Sequence, residues 1–234
     1  MLEITGLTAG YRPSVPVIRD ISLHVEPGAA KGIIGRNGAG KTCLAQALMG
    51  QLQVTGGSVR LDGADLLPLD PAGRVRKRLA LVPEGRLIFG QLTVRENLEM
   101  AAFGAGLALT PDRLTRVEDL FPILVRKRHD AAGTMSGGEQ QWLALARALV
   151  QEPRAIILDE PSLGLSPVAI DSLAESLLSI RDQGVALVLM EQNPHLLEVL
   201  CDEVLLLDQG KITRSLEFGT GEGTQLVAKA FLGI

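Results

Sequence analysis

The segment Gly35-Arg36-Asn37-Gly38-Ala39-Gly40-Lys41-Thr42 fits G-x-x-x-x-G-K-[ST], a spacing that cradles phosphate. Its glycines let the backbone bend so that successive N–H groups point inward at anionic oxygens. Lys41 can place a compact cation on the β- and γ-phosphates of a nucleotide, and the Thr42 hydroxyl can ligate Mg²⁺. Further along, Ile156-Ile157-Leu158 runs into two acids, Asp159 and Glu160. At such a strand end Asp159 can hold Mg²⁺ through water, and Glu160 can align or deprotonate an attacking water. A third segment, Ser136-Gly137-Gly138-Glu139, fits the S-x-x-E capping box that opens a helix. A cap has no need of glycines inside the first turn, where each costs roughly 1 kcal/mol relative to Ala. There they allow an anion to approach the N–H groups at the positive helix end very closely. These residue types point to the binding of a nucleoside triphosphate.

Such chemistry requires a strand before the phosphate loop and a helix after it, and the pattern supplies both. Ile33 and Ile34 precede Gly35, while Lys41 to Met49 reads as a helix closing at Gly50. Short strands are expected at 3–7, 18–25, 31–34 and 58–62, with Pro27-Gly28 and Gly56-Gly57 as separators, and another at 79–83. Between about 90 and 134 the pattern turns helical and polar, and Pro111-Asp112 can start one of its helices. Helices at 136–151 and 166–183 then alternate with apolar strands at 155–158, 185–190 and 204–207. The last strand leads into Asp208-Gln209-Gly210-Lys211, a hairpin signal. Continuous apolar strands flanked by helices predict an α/β fold, its central sheet mostly parallel and covered on both faces.

Composition narrows the function classes. The chain of 234 residues can bury the core of one large domain, and its net charge of −4 gives no electrostatic reason to expect nucleic acid. Hydrophobic residues make up 46%, yet no run approaches the ~20 apolar residues of a membrane span. Met1-Leu2-Glu3-Ile4 has neither the basic nor the apolar part of a signal peptide, so a cytosolic protein is expected. Cys43 and Cys201 form no C-x-x-C pattern and are read as small buried apolar residues. Tyr11 either stacks on an adenine ring or covers a hydrophobic edge.

Met135-Ser136-Gly137-Gly138-Glu139, taken with the phosphate loop and Asp159-Glu160, resembles the signature of the ATP-binding cassette (ABC) ATPases, which usually reads Leu-Ser-Gly-Gly-(Gln/Glu). The resemblance covers essentially the whole chain. It implies a P-loop NTPase of ABC-cassette type, a single domain over 1–234. Residues 1–89 and 135–234 would form the core with an N-terminal antiparallel β subdomain, and about 90–134 a helical subdomain. It implies ATP contacts from Tyr11, Gly35, Asn37, Gly38, Ala39, Gly40, Lys41, Thr42 and Cys43, and across a dimer from Ser136, Gly137, Gly138 and Glu139. Catalytic roles fall to Glu160, Gln192 and Lys41, and Mg²⁺ contacts to Thr42, Glu84 and Asp159. In this family the signature helix of one subunit caps the γ-phosphate held by the other. Ser162-Leu163-Gly164-Leu165-Ser166 stands where the family has its dimer-contacting loop.

Two positions depart from the general pattern. Glu84 replaces the usual Gln after the Val-Pro strand end, adding a negative charge beside the γ-phosphate. Gln192 replaces a His: its amide can donate a hydrogen bond but cannot carry a proton charge. His195 is read as a helix-face residue rather than a displaced switch.

The strings Pro83-Glu84-Gly85-Arg86, Leu92 to Leu98, Glu191-Gln192-Asn193 and Phe231-Leu232-Gly233 are similar to one branch, the second ATPase of branched-chain amino-acid importers. Urea and amide importers lie close by. The branch implies transmembrane permease subunits and a second ABC ATPase subunit, forming a homo- or heterodimer. It further implies a periplasmic solute-binding protein acting indirectly, and a peripheral position on the cytoplasmic face of the inner membrane. Leu87, Ile88 and Phe89 would form either an apolar dock for a permease or subdomain core. A cassette acting on DNA or ribosomes is disfavoured by the short spacing from Lys41 to Ser136 and by the presence of one cassette. A non-hydrolysing, ATP-sensing module is the remaining alternative.

Overall fold

A computed structural model describes residues 1–217; Phe231-Leu232-Gly233 lies outside them. In the first half, strands β1 (Leu2–Gly10), β2 (Ile18–Val25) and β3 (Ala30–Ile34) precede helix α1 (Lys41–Leu48). Then come β4 (Gln53–Leu61), β5 (Ala64–Asp65), α2 (Pro71–Arg76) and β6 (Leu79–Val82). Helices α3 (Val94–Gly104), α4 (Pro111–Leu120) and α5 (Pro122–Arg126) follow, with a 3-10 turn at Ala132–Thr134. The second half runs α6 (Gly137–Leu149), β7 (Ala155–Asp159), α7 (Pro167–Asp182), β8 (Ala186–Glu191), α8 (Pro194–Leu200), β9 (Glu203–Asp208) and β10 (Lys211–Glu217).

Two sheets result. β2-β1-β4-β5 is antiparallel, and β10-β9-β3-β8-β7-β6 is parallel apart from its edge strand β10. The expected α/β architecture, with a mostly parallel central sheet and an N-terminal antiparallel sheet, is the observed one. Strand periodicity explains why the parallel strands are apolar throughout. Ile156, Leu158, Leu187 and Leu189 face one hydrophobic cluster, which α6 and α7 cover with Leu143, Leu145, Leu173 and Leu177. Their alternating neighbours Ala155, Ile157, Ala186 and Val188 face a second cluster, packed with Leu44, Ala45 and Leu48 of α1.

The expected boundaries mostly hold, with informative exceptions. Gly56-Gly57 was expected to separate elements, yet β4 runs through it. Its register against β1 shifts between Thr5 and Thr8, and Gly57 sits at φ 88°, where a Cβ would lie 2.5 Å from Gly6 backbone atoms. The pair makes a bulge inside one strand rather than a turn between two. Helix α2 escaped the sequence reading because it is short and contains Gly73; its signal was Asp70-Pro71, with Asp70 accepting the Gly73 N–H. Buried Arg74 of α2 donates to Ala47 O (2.9 Å) and Leu48 O (2.7 Å), satisfying the carbonyl end of α1. Cys201 is buried as expected, but Cys43 is only partly so, because it stands in the first turn of α1 below Tyr11.

Candidate ATP site

The parallel register brings the chemistry together. Ile34 pairs with Glu191, and Asp159 with Met190, so β3, β7 and β8 release their chains at the same edge of the sheet. Gly35, Glu160 and Gln192 each follow one of those carboxyl ends, and Pro83-Glu84 follows β6 beside them. This crevice is where an open parallel sheet binds ligands.

The phosphate loop is ready for an anion. Gly40 precedes α1 at φ 113°, a region closed to other residues, and no side chain caps the helix. The first N–H groups of α1 thus remain for a ligand. Lys41, 5% exposed, donates to Gly35 O at 2.7 Å, and its Nζ lies 3.1 Å from Glu160 Oε1. The Gln192 amide donates to Glu160 Oε1 (2.5 Å) and to Asn37 Oδ1 (2.9 Å). Residues far apart in sequence therefore form one hydrogen-bonded cluster around the Glu160 carboxylate. Glu160 itself has φ 47° and donates its N–H to Met190 O, which turns it out of β7 toward Lys41.

Asp159 is 2% exposed, and its Oδ1 has no hydrogen-bond partner. Burial pushes its pKa up to about 6; the Thr42 side chain and Lys41 pull the other way, while Glu84 and Glu160 add to the rise. An unpartnered buried carboxylate oxygen, a threonine hydroxyl and a second carboxylate suit a hard divalent cation. Thr42, Glu84 and Asp159 indeed line one cavity of ≈ 780 Å³. Toward solvent the same cavity is walled by Leu87 and Phe89, 67% and 46% exposed, and by Met100, whereas Ile88 packs on the core. Ile88 thus takes the core alternative, while Leu87 and Phe89 remain exposed.

Tyr11 is 63% exposed, its hydroxyl within 3.6 Å of Cys43 Sγ and 3.3 Å of Gln46 Oε1. Its hydroxyl is anchored to α1 while most of the side chain stays exposed, as stacking on a base would require. His195 lies on α8, paired with Asp171 at 3.3 Å, as a helix-face residue should.

Ser136 to Glu139 forms a separate site. Ser136 Oγ accepts the Glu139 N–H, and Glu139 Oε2 accepts the Ser136 N–H at 2.7 Å, completing the expected capping box. Lys127 at 2.9 Å from Glu139, and then the Ser136 N–H, hold the Glu139 carboxyl below its ordinary pKa. No hydrogen bond or ion pair among the described residues joins this turn to the phosphate loop. Two further residues had no role assigned from sequence, Arg86 at this turn and Glu191 at the end of β8. The Arg86 guanidinium rests on Gly137, 3.3 Å from where its Cβ would be, and Glu191 is buried between two loops. Arg86 stood out only as the end of the Pro83-Glu84-Gly85-Arg86 string, with no chemical role of its own; Glu191 could have been found as an acid closing an apolar strand.

Comparison with known proteins agrees with this geometry. The sequence model of the ABC transporter family matches residues 18–163. The high-affinity branched-chain amino acid transport ATP-binding protein BraG of Pseudomonas aeruginosa is 41% identical, over 86% of this chain and 87% of its own. The probable branched-chain amino acid transport ATP-binding protein LivF of Archaeoglobus fulgidus is 33% identical, over 91% and 90%. The lipopolysaccharide export system ATP-binding protein LptB of Haemophilus influenzae is 29% identical, over 100% and 97%. A solved ATP-binding subunit of an ABC transporter has a TM-score of 0.82 at 27% identity, covering 100% of this chain and 96% of that one. With its phosphate loop, acidic strand end and cassette fold, the chain belongs to the ABC transporter family, as an ATP-binding subunit with ATPase activity.

Proposed function

We propose that this ATPase drives an importer of branched-chain amino acids. The observation that carries the reading is the 41% identity to BraG over 86% of the chain, joined to the branch strings around Glu84 and Gln192. ABC ATP-binding subunits work with transmembrane permeases, and among the described residues no helix is long and apolar enough to cross a membrane. In this reading the chain sits at the cytoplasmic face of the inner membrane. The exposed Leu87, Phe89 and Met100 dock a permease segment beside the cation end of the cavity. A second ABC ATPase subunit completes the working dimer, and a periplasmic solute-binding protein delivers the solute from the other side. The chain acts as one cassette, with about 90–134 as its helical subdomain.

In the chemical step, Tyr11 holds the adenine, and the N–H groups of Gly35 to Cys43, with Lys41, hold the phosphates. Thr42, Glu84 and Asp159 would hold Mg²⁺, which when bound would supply charge neutralisation to the phosphates. Glu160 aligns the attacking water and accepts its proton, while the Gln192 amide donates toward the γ-phosphate. Ser136 to Glu139 of one subunit closes over the γ-phosphate of the other, and hydrolysis reopens the pair.

Reconstitution in vesicles with candidate permeases, a second ABC ATPase subunit and a solute-binding protein tests the solute. ATP-driven uptake of labelled leucine, isoleucine or valine is the expected result. Uptake of urea or an amide, with none of leucine, would overturn the solute class and leave the ATPase standing.

A further inference from the structure

We infer that Glu191 is a positioning residue for hydrolysis, tying the loop that carries Gln192 to the Pro161–Ser166 loop so that both are set by one carboxylate. The inference rests on the roles proposed above for Glu160 and Gln192. Glu191 ends β8, is 2% exposed, and divides its two oxygens between two loops. Its Oε1 accepts the Ser162 N–H at 2.8 Å. Its Oε2 accepts the N–H groups of Gln192 at 2.9 Å and Asn193 at 3.1 Å. No Lys or Arg among the described residues pairs with it, so backbone dipoles alone satisfy the carboxylate.

The geometry gives this buried acid leverage. The loop held through Ser162 begins at Glu160, whose carbonyl accepts the Leu163 N–H at 3.2 Å. The loop held through Gln192 delivers the amide that touches the Glu160 carboxylate. Glu160 is thus gripped from its backbone by one loop and from its side chain by the other, and Glu191 joins the two. Leu163, half-exposed at the tip of the first loop, offers a handle to whatever docks there. Displacement of that tip reaches the Gln192 amide through a carboxylate bridge rather than through solvent.

Glu191→Gln and Glu191→Asp separate the possible roles. A carboxamide can accept on one side only, and an aspartate keeps the charge but cannot span both loops. Both variants are expected to lower kcat about tenfold or more with KM nearly unchanged, because a misplaced water and amide cost rate rather than nucleotide affinity. In a Gln192→Ala background the same Glu191 changes should lower kcat by clearly less than they do in the wild type, since one of the two arms runs through Gln192. Wild-type kcat in both variants, or full additivity with Gln192→Ala, would overturn the inference. Hydrogen exchange on the wild-type chain serves if the variants do not fold. The Ser162, Gln192 and Asn193 amides should exchange at least about tenfold more slowly than that of exposed Gly164, and equally fast exchange would overturn it. The proposed role of Glu160 is checked separately: if Glu160→Gln turns over like wild type, that assignment fails whatever Glu191 does.

Discussion

Two acids close neighbouring strands, and the protein treats them oppositely. Asp159 at the end of β7 and Glu191 at the end of β8 are equally buried. Glu191 has three N–H donors on its oxygens, while Asp159 keeps an oxygen with none. A buried carboxylate without partners is costly, whereas one fully hydrogen-bonded holds its neighbours in place. Equal burial therefore does not mean equal purpose. Glu191 is satisfied by the fold itself, whereas Asp159 keeps an unpartnered oxygen, which the proposed Mg²⁺ contact would use.

The largest expected effect concerns the group between these acids. Glu160→Gln should lower steady-state ATP hydrolysis by about 10²-fold or more, with nucleotide binding retained, as measured by phosphate release and by a fluorescent nucleotide. Unchanged turnover would remove Glu160 from the water-aligning role and leave the Asp159–Glu191 contrast without its catalytic meaning.

Next in size comes the contrast itself. The shift of Asp159 from 3.8 to about 6 corresponds to a net penalty of about 3 kcal/mol on the charged form, from burial first and then from Glu84 and Glu160, after Thr42 and Lys41 offset part of it. The folded, Mg²⁺-free chain holds the Asp159 proton more tightly than the unfolded chain. This contribution to stability is therefore favourable below pH 4 and is lost as pH rises through 6. Asp159→Asn should stabilise the nucleotide-free protein at pH 7 by up to about 3 kcal/mol, the gain vanishing near pH 4. Glu191→Gln should destabilise it by about 1–3 kcal/mol. Denaturant unfolding of both variants at the two pH values reads the signs, and equal signs at pH 7 would break the comparison.

A smaller effect contrasts two helix starts. Ser136 caps α6, whereas no side chain caps α1. Ser136→Ala should cost about 1 kcal/mol of stability without nucleotide. Tyr11→Ala should cost no stability but weaken ATP binding severalfold, from about 1 kcal/mol of lost stacking. Calorimetry and thermal unfolding separate these outcomes.

Much of the fold was legible because each apolar run is bounded by turn chemistry and covered on both faces, which leaves a parallel sheet as the consistent arrangement. The phosphate loop, the Asp159-Glu160 pair and the Ser136 cap were legible because their chemistry is local: it needs residues at fixed short spacing. Gly56-Gly57 was misread because a bulge and a turn use the same residues, and only the register against β1 tells them apart.

The sequence alone determined that this chain holds a nucleoside triphosphate, and that two acid-tipped apolar strands lie in its second half. It gave Leu158-Asp159 and Met190-Glu191 the same appearance, a hydrophobic run ending in a carboxylate. Only the tertiary structure decided which acid meets N–H groups and which meets Thr42 and an open cavity. The reason is physical: burial is set by the strand that carries an acid, but its partners come from loops distant in sequence, and those meet only when the sheet closes its register.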